Sequence, residues 1–254
     1  MTPQQIELVK ATVPVLRENG VALTGYFYNR MLGNNPALKE TFNMGHQRSG
    51  AQAQALAGAV LAYAENIEDP SVLLPVVELI AHKHVSLNIQ APDYSIVGEN
   101  LLHSISEVLD VPFESDLIEA WKQAYLQLAD ILIGAEQQKY DQLASQSGGW
   151  SGWRNFKIVS IQDHAEGKFF NIRAADQQTI PTAQAGEYIS VKVHVPEKGI
   201  DQPQQFSFSS TQDTAQYGFL VKSQAEHSEY DVANILLSHY QVGDELAVSA
   251  PLKG

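Results

Sequence analysis

Cysteine is absent from the 254 residues of this chain. Its absence excludes disulfide bonds, thiolate nucleophiles and iron–sulfur clusters. Basic residues are also scarce, because 16 Lys and Arg accompany 29 Asp and Glu and leave a net charge of −13. A chain this acidic is an unfavourable partner for nucleic acid or for an anionic membrane, so we expect neither.

Long apolar segments are missing as well. No stretch approaches the roughly 18 consecutive apolar residues typical of a transmembrane helix. The N-terminal segment MTPQQIELVK has no apolar signal-peptide core, so we expect a cytoplasmic protein. The hydrophobic content of 44% is sufficient for the core of one large domain or two ordinary ones.

Residues 1–145 have the periodicity of helices and no strand-like alternation, which predicts an all-α domain. A helix is expected to begin after Thr2, because Pro3 and Gln5 complete the pattern of a capping box. Further helices are predicted over 20–33, 37–43, 50–67, 71–86, 92–109 and 115–144.

The pattern changes at residues 146–152, whose small residues indicate a linker between two domains. Residues 153–254 then alternate short β-rich runs with turn residues. This second domain is predicted to be an antiparallel barrel or sandwich that contains one helix, Tyr230–His239. The predicted strands are Phe156–Ile161, Phe169–Ala174, Tyr188–Val195, Phe206–Ser210, Tyr217–Lys222 and Glu245–Ala250.

One histidine lies on the apolar face of a predicted helix. Leu73, Val77, Ile80 and His84 recur at helical spacing on one face, whereas His82 is about 200° around the helix and should face solvent. A buried imidazole requires a hydrogen-bond partner or a metal. His84 is therefore either an ordinary core histidine with a satisfied hydrogen bond or a ligand.

Three other polar side chains interrupt apolar faces in the same way. Gln52 extends the stripe of its helix, Tyr94 begins another, and Glu136 continues that of the long last helix. Each alone is compatible with ordinary packing or with a position at the rim. Together they predict a metal-bound imidazole at His84 that donates its second N–H to Glu136, with Tyr94 orienting the carboxylate.

At these positions the chain resembles a bacterial flavohaemoglobin, of the nitric oxide dioxygenase family. The resemblance covers residues 1–150 and implies a globin domain with haem b bound through iron to His84. The segments that carry it are Tyr26–Met31, Lys39–Met44, Ile80–His84, Tyr94–Glu99 and Ala120–Tyr125.

The resemblance also implies a role for each pocket residue. Tyr28 and Gln52 donate hydrogen bonds to the haem ligand, Leu56 lies beside Gln52, and Phe42 packs on the haem. The implied function is the oxidation of NO with O2 to nitrate, which detoxifies NO.

On the other side of the haem, the resemblance gives Glu136 and Tyr94 control of the donor strength of His84, which favours oxygen activation over oxygen carriage. Lys83 and Gln47 would lie near the haem edge that faces the flavin domain and would assist docking. The alternative for Lys83 is an ordinary solvent-exposed lysine.

The second half resembles the FAD-binding barrel of ferredoxin-reductase-type enzymes. Ala185–Tyr188 matches a strand entry whose tyrosine, here Tyr188, packs near the flavin. In the flavin motif R-x-Y-S, Gln204 and Phe206 replace the arginine and the tyrosine, while Ser207 is retained. The implied cofactor-binding residues are therefore Tyr188, Gln204, Phe206 and Ser207.

A second phosphate motif, G-x-V-S, aligns with Glu229–Asn234 and lacks both its glycine and its serine. Glu229 and Asp231 would compete there with a pyrophosphate. Each lost charge-assisted contact is worth about 1.5–3 kcal/mol, so two additive losses weaken binding by about two to four decades. The fold allows FAD, while these replacements predict weak binding.

The family continues beyond this barrel with a nicotinamide domain, and no glycine-rich loop here opens a helix after a strand. NAD(P)H is therefore not expected to bind. Either the sequence is a fragment of a longer protein or the protein depends on an external reductase. Two other functions stay open: a haem protein that binds, scavenges or senses a gas without self-sufficient turnover, and a haem-free domain that binds a partner.

Overall fold

The structure is a computed structural model that describes residues 1–212, 214–222 and 231–254. The α-helices in this part are Pro3–Ala11 (α1), Val13–Asn34 (α2), Met44–Arg48 (α3), Ala51–Glu65 (α4), Leu74–Ser86 (α5), Asp93–Leu109 (α6), Asp116–Ser145 (α7) and Val232–His239 (α8). Short 3₁₀ turns cover Pro36–Glu40 and Pro70–Leu73. Across these described ranges, none of the helices combines the length and apolarity needed to cross a membrane.

Within the described residues, the strands form a seven-stranded antiparallel sheet with the order β4-β3-β6-β1-β2-β5, and β7 pairs with β3. Their bounds are Arg154–His164 (β1), Gly167–Ala174 (β2), Glu187–Val195 (β3), Ile200–Ser207 (β4), Tyr217–Lys222 (β5), Glu245–Val248 (β6) and Leu252–Lys253 (β7). The predicted fold class, a helical domain followed by an antiparallel sheet domain, is confirmed.

Contacts between residues divide the chain into two compact units. The first comprises Met1–Leu38, His46–Ile80 and Gln90–Ala135. The second comprises the sheet together with Lys39–Gly45, Ala81–Ile89 and the chain from Glu136 onward. These units differ from the predicted boundaries of 1–145, 146–152 and 153–254, because parts of the helical sequence pack within the sheet unit.

In the first unit, α1 begins at the capping box that the sequence predicted. The hydroxyl of Thr2 accepts from the Gln5 backbone N–H at 3.2 Å, and the Gln5 side chain accepts from Thr2 N–H at 2.8 Å, which confirms the capping box. α2 is longer than its predicted range of 20–33. Its buried face packs against α4 and α6 and includes Leu23, Phe27 and Met31.

A glycine sets the approach of α7 to α6 within the first unit. A Cβ atom on Gly98 would lie 2.4 Å from Cε1 of Tyr125. The bare backbone therefore gives the Tyr125 ring room to reach α6, where its hydroxyl donates to the carbonyl oxygen of Tyr94 at 2.6 Å. This contact fixes the start of α6 and the backbone of Tyr94.

We expect Gly98→Ala to destabilise the protein by about 1–3 kcal/mol, because the new methyl group overpacks the Tyr125 ring. Gly134→Ala is the matched control, since it also lies inside a helix and a Cβ there meets nothing within 4 Å. The free energy of unfolding of Gly134→Ala should exceed that of the wild-type protein by about 0.5–1 kcal/mol. Urea denaturation measures both, and equal effects of the two substitutions would contradict this account.

The sheet of the second unit is not closed into a barrel by hydrogen bonds between its two end strands. Within the described strands, β4 and β5 are the two ends of the hydrogen-bonded order. The rings of Phe206 on β4 and Phe219 on β5 nevertheless lie 4.9 Å apart, so the two ends meet through side chains. Both rings belong to the core of this unit, which also contains Phe156, Phe170 and Tyr217.

Two sequence predictions in this unit were wrong in their bounds. The strand predicted at Phe206–Ser210 is β4, which begins earlier and contains Pro203 opposite Lys192. Proline is tolerated there because β4 is an edge strand. The last long strand ends at Val248 rather than Ala250, while the Tyr230 end of the predicted Tyr230–His239 helix lies outside the described residues.

The helix predicted at 37–43 was also wrong. Its residues form a 3₁₀ turn and a short irregular segment, because neighbouring polar groups bind β4 instead of a helix. The Asn43 side chain donates to the carbonyl oxygen of Pro203 at 2.9 Å, and Met44 N–H donates to the side-chain oxygen of Gln202 at 2.7 Å. Tertiary contacts thus override local helix propensity.

Residues 146–152, predicted as a linker, form a packed turn. Gly148 has φ of 73°, and a Cβ atom there would lie 2.6 Å from the carbonyl oxygen of Thr179. Its own carbonyl accepts from the Arg154 guanidinium at 3.2 Å. Glycine is required at this position by both its backbone conformation and the close approach of a second backbone.

Candidate functional site

The second unit brings together His84 near the end of α5 and Glu136 of α7. His84 Nδ1 lies 2.7 Å from Oε1 of Glu136, as the sequence predicted for this pair. The Glu136 side chain is only 3% exposed, which excludes the alternative of a carboxylate at the rim. The His84 side chain is 32% exposed and is therefore less buried than predicted, so a ligand can reach the ring.

This hydrogen bond decides which ring nitrogen carries the proton. A carboxylate beside Nδ1 favours an N–H at that atom, because only a donor satisfies it. In the neutral imidazole, Nε2 then carries the lone pair. Histidine ligands of metals in proteins commonly have this arrangement, in which a carboxylate fixes the tautomer and makes the ligand more basic.

The neighbours of His84 on α5 differ in their surroundings. Lys83 is exposed, which both of its interpretations require. His82 was predicted to face solvent but is half-buried, and its Nδ1 accepts from the backbone N–H of Lys253 at 3.1 Å. The sequence could not show this contact, because the two residues are 171 positions apart.

Phe42 also belongs to the second unit and is partly buried. It lies in the segment that Asn43 and Met44 attach to β4. Its predicted role of packing on a haem stays a prediction, and its backbone is held by the sheet.

The first unit contains the other predicted pocket residues. Tyr28 on α2 is buried, and burial raises the pKa of its hydroxyl well above the ordinary value, so that the hydroxyl keeps its proton at neutral pH. Gln52 and Leu56 lie one turn apart on α4 and are both partly buried. Tyr94 is buried at the start of α6.

A hydrogen bond orients the amide of Gln52. Its Oε1 accepts from Nε2 of Gln47 on α3 at 2.7 Å. With the oxygen used in this way, the amide group of Gln52 presents its N–H atoms to another acceptor. The sequence placed Gln47 near the haem edge as a docking residue, and did not show that it contacts Gln52.

The sheet residues implied as flavin contacts have different environments. Tyr188 on β3 is buried and packs with Val85, Tyr140 and Leu252, and burial raises the pKa of its hydroxyl to about 12. Phe206 is buried in the core, whereas Gln204 is partly exposed and Ser207 is exposed. At the position where the motif has arginine, the side chain is therefore neutral.

The N-terminus of α8 is capped by its own chain. The Asp231 carboxylate is buried and accepts from the backbone N–H groups of Ala233 at 3.0 Å and Asn234 at 3.3 Å. It also accepts from the side chain of Asn234 at 2.9 Å. These donors, which a phosphate would use, already bind an anion; Glu229 of the same motif lies outside the described residues.

Known proteins resemble this chain over its whole length. The globin family matches residues 25–132. A flavohemoprotein of Bordetella parapertussis is 51% identical over 99% of this chain and 63% of its own length. A flavohemoglobin from Malassezia yamatoensis, solved with bound FAD and heme, is 28% identical with a TM-score of 0.87 and matches 100% of this chain and 64% of that one.

A shorter relative matches the helical part alone. A bacterial globin from Campylobacter jejuni is 39% identical with a TM-score of 0.53, over 55% of this chain and 99% of that globin. The helices of the first unit and these matches thus define a protein of the globin class. The chain therefore belongs to the bacterial globins, and over 99% of its length it is similar to a flavohemoprotein. It spans about 63% of the length of the curated relative from Bordetella parapertussis.

Proposed function

We propose that this protein is a haem-dependent oxidoreductase that converts NO and O2 to nitrate. The observation that carries the proposal is the His84–Glu136 pair, whose geometry presents a basic ring nitrogen in a bacterial globin that is similar to a flavohemoprotein. Haem b, when bound, supplies the iron at which O2 and NO react. Nitrate formation from NO and O2 consumes one electron, so continued turnover also requires a reductant.

His84 fits the role of iron ligand through the chemistry of its partner. The buried carboxylate of Glu136 accepts a hydrogen bond from the Nδ1–H of His84 and thereby increases the electron density that Nε2 donates. A strong donor at this position favours oxygen activation over reversible oxygen binding. We assign to Tyr94 the role of orienting Glu136.

Tyr28 and Gln52 fit the role of hydrogen-bond donors in the ligand pocket, where negative charge develops as O2 is reduced. Tyr28 keeps its hydroxyl proton because burial raises its pKa. Gln52 keeps its N–H groups as donors because Gln47 uses its oxygen. Leu56 and Phe42 are apolar, and we assign to them the exclusion of water from the pocket.

Lys83 and Gln47 receive smaller roles in this proposal. Lys83 is exposed beside His84 and is proposed to assist docking of an electron donor. Gln47 acts through Gln52, whose amide it orients at 2.7 Å. We propose O2 and NO as the small-molecule partners, an external reductase as the source of electrons, and the cytoplasm as the location.

The second candidate is a haem protein that binds, scavenges or senses a gas without self-sufficient turnover. The observation that favours it is the replacement of charged flavin contacts by Gln204 and by the self-capping Asp231. Both functions use the same haem ligand, so they differ in the supply of electrons. Nitrate formation in a single turnover separates them, because it needs only protein that has been reduced beforehand.

We expect haem-loaded protein, reduced, freed of reductant and equilibrated with air, to form one nitrate per haem when it is mixed with NO. Tyr28→Phe should slow this reaction by about tenfold or more, since one buried donor for developing charge is lost. Tyr26→Phe is the control, because Tyr26 lies on the same helix but is exposed and donates to Glu107. Nitrate formation no faster than with free haem would contradict the proposed activity.

For FAD, the described residues do not fit the contacts that the family motif implies. Gln204 has no charge to pair with a pyrophosphate, and the Asp231 carboxylate accepts from the N–H groups at the start of α8. We therefore propose that FAD binds weakly. No step of the proposed reaction is assigned to a flavin.

The substitution Gln204→Arg should tighten FAD binding by about one to two decades, because it supplies a charge-assisted contact. Asp231→Asn should add to this effect, since asparagine also caps helices but has no charge. Gln178→Arg is the control, because it adds the same charge at an exposed position of another segment. Titration of flavin fluorescence measures the affinities, and stoichiometric FAD retained by the wild-type protein after desalting would contradict weak binding.

A further inference from the structure

We propose that the sheet positions the imidazole of His84 through a buried hydrogen bond between Ser190 and Ser86, which makes both serines positioning residues of the haem site. The proposal rests on the proposed function, because it concerns the ligand that holds the haem. Its evidence lies entirely within the second unit, to which Ala81–Ile89 and the whole sheet belong.

Ser86 ends α5 two residues after His84 and is 1% exposed. Its hydroxyl donates to the carbonyl oxygen of Lys83 at 2.7 Å. The carbonyl groups of the last helical turn have no partner within the helix, so this bond closes the turn that includes His84. A displacement of Ser86 would therefore move the backbone on which His84 is carried.

Two donors from the sheet hold the Ser86 hydroxyl. Ser190 of β3 donates its hydroxyl at 2.9 Å, and Gln205 of β4 donates its side-chain N–H at 3.3 Å. The Tyr188 hydroxyl of β3 also has a hydrogen-bond interaction with Ser86, so several polar groups of the sheet surround this hydroxyl. Ser190 is itself held firmly, because its N–H donates to the Ser249 hydroxyl at 2.8 Å and its carbonyl accepts from Ser249 N–H at 2.9 Å.

The same segment is attached on both sides of His84. Lys253 N–H of β7 donates to His82 Nδ1 at 3.1 Å, and the Tyr140 hydroxyl donates to the carbonyl of Ile89 at 2.6 Å. Val85 packs in a cluster with residues of β3, β7 and α7. The ring of His84 is thus held between the Glu136 carboxylate and a helical turn that the sheet fixes in place.

The consequence concerns the bond between His84 and iron. Metal ligands are sensitive to displacements well below 1 Å and depend on the groups that hold them. Because Ser190 reaches the turn that carries His84, the sheet is assigned a role that needs no flavin. Loss of the Ser190 hydroxyl should loosen the end of α5. The imidazole ring of His84 should then occupy a wider range of orientations.

The test uses the full chain with Ser190→Ala. Ser104→Ala is the matched control, because Ser104 is also fully buried and its hydroxyl donates to a backbone carbonyl, that of Asn100, at 2.7 Å. Gln205→Met is a milder second variant, which removes the longer donor and keeps the size of the side chain. Two readouts are compared: amide hydrogen exchange of residues 84–89 without haem, and the iron–histidine stretching band in the resonance Raman spectrum of the reduced, haem-loaded protein.

We expect Ser190→Ala to speed exchange at residues 84–89 by about tenfold, which corresponds to the loss of one net hydrogen bond of about 1.4 kcal/mol. Its iron–histidine band should shift or broaden. Gln205→Met should show smaller changes in the same direction. In Ser104→Ala, both the exchange of residues 84–89 and the iron–histidine band should be unchanged. An unchanged band would overturn the proposal even if exchange increases, because the sheet would then hold the segment without positioning the ring. If wild-type protein fails to bind haem, the proposed function fails instead, and unchanged exchange would separately overturn the attachment.

Discussion

The arrangement of the site depends on the hydrogen bond between His84 and the buried carboxylate of Glu136, 2.7 Å apart. A carboxylate that is 3% exposed is unfavourable unless a donor satisfies it, and the imidazole N–H is such a donor. The same bond leaves the lone pair on Nε2, the atom through which we propose that His84 binds iron. The stability of a buried charge and the chemistry of a metal ligand are therefore two effects of one contact.

Periodicity singled out His84 and Glu136 because each interrupts an apolar face, and the structure places them 2.7 Å apart. The same signal singled out Gln52 and Tyr94, whose site roles stay predictions. The Ser190–Ser86 bond gave no such signal. Serine is small enough for a core or a surface, and the partners are 104 positions apart. The early start of the strand β4 was not predicted, because Pro203 disfavours a strand except at an edge.

The second unit shows how a fold can be retained while its ligand contacts change. Its core consists of residues such as Phe206, Phe219 and Tyr217, which pack on each other whatever binds outside. Gln204 and Asp231 lie at positions that this core does not require to be charged. The unit can therefore keep its structure when these two positions change, and its hydrogen bonds to Ser86 attach it to the segment that carries His84.

The most direct test of the central claim is the iron–histidine stretching frequency of the reduced, haem-loaded protein, compared with that of Glu136→Gln. The amide of the variant can still accept the Nδ1 proton, but it has no charge, so Nε2 should donate less electron density to iron. The account predicts a band at lower frequency in the variant. The same frequency in both proteins would show that Glu136 does not control the ligand, and would contradict the account.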